Sequence, residues 1–273
     1  MLKYSIVASD LDGTLLNHAS SISCENTKAI HALHKLGVHF VPSTGRSFHE
    51  IPMLLRDDDS VRFFICSNGA VVLDKLEGPR ILNCISNGVG REVLDLLTAF
   101  ETEINIRHNG YLIADAELKS LKDYNHLNVV NAHIACIHKY SKKVDDFITY
   151  AYHADNIEVF TVFFHNYADK MYCKKQLEQN TTLRVVEGFE YNLEIMHTNA
   201  GKGNALCALA KELSIHQTET IGIGDSGNDI SIIKSAGLGL AVSNATDSLK
   251  AVADHIICSN EEHVVEYVLN HYF

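Results

Sequence analysis

Short apolar runs alternate with amphipathic stretches over the first 84 residues. The apolar run at 6–8 is followed by the stretch 23–36, which carries its apolar residues on one face, and this pattern predicts a strand and then a helix. Ser23 is a suitable N-cap for that helix, and Gly37 is a suitable stop. Further strands are predicted at 38–42, 62–66, 71–73 and 80–82, the last two as a hairpin. Continuous apolar strands interleaved with helices predict a parallel sheet covered on both faces.

The middle third of the chain is richer in Asn, His and Tyr. Strands predicted at 104–107 and 111–114 flank Asn109-Gly110, a strong tight-turn signal. Helices are predicted at 90–100, 142–154 and 169–179, and strands at 157–164, 183–186 and 192–196. Beyond Gly203 the alternation resumes, with helices at 205–213 and 229–235 and strands at 220–223 and 238–242. The pattern predicts a discontinuous α/β core, residues 1–84 and 198–273, interrupted by an α+β insertion at 85–197.

Composition narrows the class of protein. The formal net charge of -11 over 273 residues argues against a nucleic-acid surface, because binding to phosphate backbones requires a basic face. No apolar run approaches the roughly 18 residues of a membrane span. The seven cysteines include no CxxC pair, a pattern typical of reduced thiols, and this predicts a cytoplasmic location.

Three polar motifs each follow a predicted strand, at 10–14, 43–46 and 224–229. In an open parallel sheet, ligands bind beyond the carboxyl ends of the strands. The first and third motifs bring four carboxylates, which would repel one another and raise their pKa values if no cation were present. Mg²⁺ prefers carboxylate and water oxygens and removes that conflict. The sequence therefore predicts a site for metal-assisted phosphoryl transfer.

The first motif supplies two carboxylates with different predicted roles. Asp10 is the first polar residue after the strand and is placed to attack a phosphoryl group, which would form an aspartyl-phosphate. Asp12 is placed to protonate the leaving oxygen and then to activate water. Gly13 allows a sharp turn, and backbone N–H groups around Leu11 and Asp12 are candidates to bind phosphate oxygens. We interpret the Thr14 hydroxyl as a cap of this turn.

The second motif and the segment before helix 205–213 provide candidate phosphate ligands. Thr44 offers a hydroxyl and a backbone N–H to a phosphate, with Gly45 allowing close approach; alternatively, these residues cap the following helix. Arg46 is a candidate either to bind phosphate or to form a surface ion pair, and we favour the ion pair. Lys202 precedes a helix N-terminus, where a cation opposes the macrodipole, and an anion bound there would resolve the conflict. The alternative for Lys202 is an exposed, solvated lysine.

The third motif completes the candidate metal site. Asp225 is the best additional metal ligand. Asn228 and Asp229 are placed to orient Asp225, to hold waters or to position Lys202. The alternative role of Asp229 is to cap the helix that it begins.

These motifs, in this order, resemble those of the haloacid dehalogenase (HAD) superfamily. The residues that carry the resemblance are Asp10-Leu11-Asp12-Gly13-Thr14-Leu15, Ser43-Thr44-Gly45-Arg46, Lys202-Gly203-Asn204-Ala205-Leu206 and Gly224 to Asp229. Ser67-Asn68-Gly69-Ala70 and Val242-Ser243-Asn244-Ala245 resemble the Cof-type hydrolases, which carry a C2B cap. The resemblance implies a Rossmann-like parallel-sheet core with an inserted α+β cap domain.

The same resemblance implies a Mg²⁺-dependent phosphatase that acts on small phosphorylated metabolites, often sugar phosphates or phosphorylated cofactors. Carried over by position, Asp10 is the nucleophile and Asp12 the acid and base. Phosphate is bound by Thr44, Lys202 and Asn228. The metal is held by Asp10, the Asp12 carbonyl and Asp225.

Two other functions fit the same residues. A phosphomutase or phosphotransferase would differ only in the acceptor of the phosphoryl group. A non-catalytic protein that binds phosphorylated ligands would need no nucleophile, and the presence of Asp10 and Asp12 argues against it. The sequence does not indicate the oligomeric state.

Overall fold

The computed structural model describes residues 3–116, 137–187 and 190–273, and these form two compact units. The first unit comprises Met1–Arg46, Ile51–Leu82 and Ala200–Phe273, and the second comprises Ser47–Glu50 and Asn83–Asn199. The division into core and cap predicted from the sequence places its limits within two residues of 82 and 199, but it assigns 47–50 to the core. Part of the predicted insertion, 117–136, lies outside the described residues.

Strands and helices alternate through most of the described chain. The strands are β1 (Ile6–Ser9), β2 (His39–Pro42), β3 (Phe63–Cys66), β4 (Val71–Asp74), β5 (Gly78–Leu82), β6 (Thr102–His108), β7 (Tyr111–Asp115), β8 (Lys142–Val144), β9 (Val159–Phe164), β10 (Leu183–Val186), β11 (Asn192–His197), β12 (Thr220–Gly224), β13 (Leu238–Ala241) and β14 (His255–Ile256). The helices are α1 (Cys24–Lys35), α2 (Met53–Arg56), α3 (Asn87–Leu97), α4 (Phe147–His153), α5 (Tyr167–Leu177), α6 (Lys202–Glu212), α7 (Ile230–Ser235), α8 (Asp247–Lys250) and α9 (Val264–Tyr272).

A five-stranded parallel sheet forms the centre of the first unit, in the order β14-β13-β12-β1-β2. The side chains of β1 are fully buried, as expected for a strand covered on both faces. The predicted third strand, at 62–66, does not extend this sheet as a regular parallel member. Instead, β3 pairs antiparallel with β4 in a three-stranded sheet with β5, and it meets the end of β2 only through a bridge between Ser43 and Ile65.

Helix α1 follows the predicted pattern. Ser23 is its N-cap, and the Ser23 hydroxyl accepts a hydrogen bond of 3.1 Å from the backbone N–H of Asn26. Ala29, Ile30 and Leu33 face the interior of the first unit. Ser23 therefore predicted the start of this helix, and the apolar spacing predicted the buried Ile30 and Leu33; the expectation that Leu36 shares that face is wrong, because Leu36 is exposed.

The second unit contains a six-stranded mixed sheet in the order β10-β11-β9-β6-β7-β8. The hairpin of β6 and β7 turns at Asn109 and Gly110, which both have positive φ, as their dipeptide predicted. The helix predicted over 142–154 is partly wrong, because 142–144 form β8 alongside β7 and the helix begins only at Phe147. Asp146 explains the late start, because its carboxylate accepts a hydrogen bond of 2.9 Å from the backbone N–H of Thr149 and caps α4.

Among the described residues, no helix is both long enough and apolar enough to cross a bilayer.

Candidate active site

The candidate site lies where neighbouring strands of the parallel sheet end. Ser9, the last residue of β1, is in register with Pro42 of β2 and Ile223 of β12. The ladder continues for one step, because the Asp10 N–H donates to the Ile223 carbonyl at 2.9 Å and the Ser43 N–H donates to the Ser9 carbonyl at 2.8 Å. The three polar motifs of the sequence therefore begin at the same edge of one sheet, as the rule for open parallel sheets predicted.

The ammonium group of Lys202 lies between two carboxylates. Its Nζ is 2.6 Å from Oδ1 of Asp10 and 2.6 Å from Oδ1 of Asp229, and the residue is only 1% exposed. Burial alone lowers the pKa of Lys202, but the two carboxylates more than offset this effect and raise the pKa. The alternative of an exposed, solvated lysine is therefore wrong. The anions beside this first residue of α6 also offset its conflict with the helix dipole.

Asp229 uses its second oxygen to hold the backbone of the third motif. Its Oδ2 accepts hydrogen bonds from the backbone N–H groups of Asp225, at 3.0 Å, and of Ser226, at 3.1 Å. Asp229 is fully buried and directly precedes α7. Asp229 thus positions Lys202, but the alternative that its side chain caps the helix it begins is wrong, because the carboxylate accepts from the backbone before the short helical turn 227–229 and not from α7.

Three carboxylates meet at this edge of the sheet. Asp10, Asp225 and Asp229 each offer an oxygen, and these atoms lie within 4.8 Å of one another. Burial raises the pKa of Asp10 to about 8, with Lys202 opposing the rise and the other two carboxylates adding to it. Burial, and next the charge of Asp229, raise the pKa of Asp225 to about 6. A set of oxygen donors that resists joint ionisation fits a hard divalent cation, which would relieve their repulsion.

Asp12 does not join this cluster, so the expectation that four carboxylates converge is wrong. Its exposed carboxylate forms a two-point ion pair with Arg46, with Nε 2.8 Å from Oδ2 and Nη2 2.6 Å from Oδ1. Side chains at 10 and 12 are separated by a sharp turn, and a guanidinium group is the geometric match for a carboxylate. The expected ion pair of Arg46 is thus present, and its partner is the candidate acid and base.

In the second motif, the buried side chain of Thr44 and not its backbone N–H retains a hydrogen to donate. The N–H of Thr44 donates to the Ile65 carbonyl at 2.9 Å, so the expectation that this N–H is offered to a phosphate is wrong. The Thr44 hydroxyl oxygen accepts from the Arg46 N–H at 3.1 Å, which leaves the hydroxyl hydrogen to donate elsewhere. A Cβ added to Gly45 would lie 3.1 Å from Oδ1 of Asn68, so this backbone also packs closely against its neighbour.

The loops that carry Leu11 and Asn228 are fixed by local hydrogen bonds. The Leu11 carbonyl accepts from the N–H groups of Thr14, at 3.3 Å, and of Leu16, at 2.8 Å. Asn228 is exposed, and its Oδ1 accepts from the Ser226 hydroxyl at 2.9 Å. The first loop is therefore ordered by its own backbone, whereas Asn228 also donates from Nδ2 to Oδ1 of Asn68 at 3.3 Å.

Two contributors to this site were missed by the sequence reasoning. The Thr14 hydroxyl donates to Oδ1 of Asp225 at 3.4 Å, so its interpretation as a cap of its own turn is wrong. The Asn244 amide donates to the Gly13 carbonyl at 2.8 Å and so braces the first loop. Both contacts join residues more than 200 positions apart, and no local spacing signals them.

Comparison with known proteins identifies the family. Residues 7–269 match the family model of the haloacid dehalogenase-like hydrolases, and the chain belongs to that family. This assignment confirms the predicted superfamily, the Rossmann-like core with an inserted α+β domain and the enzyme class, a HAD-type phosphoric monoester hydrolase.

Individual relatives agree with this assignment. The chain is 30% identical to phosphatase YwpJ of Bacillus subtilis, with 97% of this chain and 99% of that protein covered. It is 27% identical to 5-amino-6-(5-phospho-D-ribitylamino)uracil phosphatase YwtE of the same organism, over 97% and 96% of the two chains. A haloacid dehalogenase-like hydrolase from Bacteroides thetaiotaomicron has the same fold, with a TM-score of 0.82, 23% identity and coverage of 99% and 100%.

Proposed function

We propose that this enzyme hydrolyses small phosphorylated metabolites, such as sugar phosphates or phosphorylated cofactors, by transferring the phosphoryl group to Asp10. The observation that carries the proposal is the buried contact of 2.6 Å between Asp10 and Lys202. The contact fixes Oδ1 of Asp10. An oriented carboxylate at a strand end is a suitable nucleophile, because attack on phosphorus forms an aspartyl-phosphate and releases the alcohol.

The proposed cofactor is Mg²⁺, held by the carboxylates of Asp10 and Asp225 and the carbonyl of Asp12. The raised pKa values of Asp10 and Asp225 support a bound cation, since both carboxylates must be ionised to act. When bound, the metal ion would neutralise charge on the transferring phosphoryl group. Asp229 contributes indirectly, because it holds the Asp225 backbone and the Lys202 ammonium.

Phosphate oxygens are proposed to contact the Leu11 backbone N–H, the Thr44 hydroxyl, Gly45, Lys202 and Asn228. The donating hydrogen of Thr44 and the buried positive charge of Lys202 support this set. Fixed donors and a cation that surround the phosphoryl group stabilise its developing charge without reorganisation during the reaction.

Asp12 is proposed to protonate the leaving oxygen and then to take a proton from the water that hydrolyses the phosphoenzyme. Its carboxylate is held by Arg46, and the ionised form is the one needed for the second step. The first step requires a protonated Asp12, so the guanidinium must release that oxygen when substrate is bound.

Residues 85–197 are proposed to form a C2B-type cap that selects the organic part of the substrate. The relative YwtE is named as a phosphatase of 5-amino-6-(5-phospho-D-ribitylamino)uracil, and this name supports a small phosphorylated metabolite as the substrate class. Six cysteines in the described part of the chain form no disulfide bond. Reduced thiols are typical of the cytoplasm, and this supports the proposed cytoplasmic location.

The test is phosphate release from a panel of phosphorylated metabolites, with and without Mg²⁺. We expect wild-type turnover only with the metal, and a loss of at least about 10⁴-fold in Asp10→Asn, because the amide is not a nucleophile. Asp95→Asn is the matched control, since Asp95 is exposed on α3 in the second unit. Undiminished release by Asp10→Asn would refute the proposal. Formation of an isomer without inorganic phosphate would favour a mutase, and tight binding without turnover would favour a non-catalytic role.

A further inference from the structure

The turn after β3 contains a run of three residues in a left-handed backbone conformation. Ser67, Asn68 and Gly69 have φ values of 51°, 54° and 87°. Glycine adopts this region readily, but side chains at the first two positions make it costly. Backbone strain of this kind persists where the surroundings enforce it, and it is concentrated at functional sites. These residues belong to the segment Ser67-Asn68-Gly69-Ala70, which has no part in the proposed mechanism or the proposed metal site.

Contacts on two sides hold this turn against the candidate site. The Ser67 N–H donates to the Arg46 carbonyl at 2.8 Å, and the Asn68 N–H donates to the Thr44 carbonyl at 3.0 Å. On the other side, a Cβ added to Gly69 would lie 2.3 Å from the carbonyl oxygen of Gly201, so only glycine fits. The turn therefore bridges the Thr44 segment and the residue that precedes Lys202.

The side chain of Asn68 lies between two proposed phosphate ligands. Its Oδ1 accepts a hydrogen bond of 3.3 Å from the amide nitrogen of Asn228. The same oxygen would be 3.1 Å from a Cβ at Gly45, so it packs against that backbone. Asn68 is 9% exposed, which limits competition from water for these contacts. Without Asn68, the exposed Asn228 would keep only the bond from Ser226 among the hydrogen bonds described for its side chain.

We propose that Asn68 is a positioning residue that holds the Asn228 amide and the Gly45 backbone in the geometry that binds phosphate. The assignment rests on the proposed function for the identity of the ligand, and it adds a residue to which that function gave no role. Asn suits the position for two reasons. It tolerates the left-handed backbone better than most residues with a side chain, and its carbonyl oxygen can accept from the Asn228 amide.

Asn68→Gly separates positioning from folding, because glycine accepts the same backbone conformation and removes only the side chain. We expect the variant to bind inorganic phosphate about 3- to 10-fold more weakly by titration calorimetry with Mg²⁺, as for the loss of one hydrogen bond. The KM for a phosphomonoester should rise by a similar factor, and kcat should change by less than about 3-fold. Asn156→Gly is the matched control, since Asn156 is an exposed left-handed asparagine in the second unit.

A double-variant cycle tests whether Asn68 acts through Asn228. We expect Asn68→Gly to weaken phosphate binding less in the Asn228→Ala background than in the wild type, because only its contact with the Gly45 backbone is then left to lose. The proposal would be overturned if the losses of phosphate affinity in the two single variants added fully in the double variant. It would also be overturned if Asn68→Gly bound phosphate as tightly as the wild type, or if Asn156→Gly lost as much phosphate affinity as Asn68→Gly. Phosphate binding is measured without turnover. An active Asp10→Asn enzyme would therefore refute Asp10 as the nucleophile without affecting the test of Asn68.

Discussion

Gly13 links the first loop to the candidate metal site at the scale of a single residue. Its φ is +80°, and an added Cβ would lie 2.6 Å from Oδ2 of Asp225. Gly37, at the end of α1, has the same φ but no atom within 4 Å of an added Cβ. Both positions therefore favour glycine because of their positive φ. Only at Gly13 would a side chain also collide with a neighbouring residue, Asp225.

Gly13→Ala and Gly37→Ala should separate these two effects. We expect each variant to lose about 1–2 kcal/mol in the free energy of unfolding, from the left-handed backbone alone. Gly13→Ala should also lose at least about 10-fold in kcat/KM, because the methyl group displaces a proposed metal ligand. Urea denaturation and steady-state kinetics with Mg²⁺ measure the two quantities. Equal activity in the two variants would show that the close approach to Asp225 does not matter.

At the scale of elements, the helices and strands that face an apolar interior were predictable from the sequence. The start of α6 was not, because it was placed at 205 and lies at Lys202. A lysine in the first helical turn is locally unfavourable, and only the distant carboxylates of Asp10 and Asp229 make it stable there. The motif predicted Lys202 as a cation that meets an anion and Asp229 as a residue that could position it, whereas the burial of Lys202 and its contact with Asp10 required the fold.

The pairing of strands was the least predictable feature. An apolar run such as β3 is compatible with a parallel or an antiparallel partner, and the choice depends on β4, which follows it in a hairpin. The hydrogen-bond partners of the Asp12 and Asn68 side chains could not be predicted from the sequence for a related reason. Arg46 and Asn228 reach them only because separate loops meet at one edge of the parallel sheet.

At the scale of the whole molecule, the ionisation of the site affects stability. The folded-state pKa values of Asp10 and Asp225, about 8 and about 6, lie above the ordinary value of 3.8. The folded, metal-free protein therefore binds more protons at these groups than the unfolded chain between about pH 4 and pH 8. By linkage, their contribution to the free energy of unfolding falls as pH rises through this window.

Binding of Mg²⁺ should reverse this loss, because the metal requires the ionised carboxylates. We expect the rise in Tm on adding Mg²⁺ to be larger at pH 8 than at pH 5.5, by roughly 3 °C for each tenfold gain in affinity. Thermal unfolding with and without the metal at both pH values measures this difference, and Asp225→Asn should largely remove it. The same rise in Tm at both pH values would contradict the proposed metal ligands.

In the proposed mechanism, the phosphoryl group passes through Asp10. Rapid acid quenching during turnover, followed by peptide mapping, tests it directly. We predict a phosphoryl group on the peptide that contains Asp10, cleaved by hydroxylamine and present in larger amounts in Asp12→Asn, because that variant lacks the base for the second step. Turnover with no phosphoryl group on Asp10, or with the group on another residue, would contradict the assignment of Asp10 as the nucleophile.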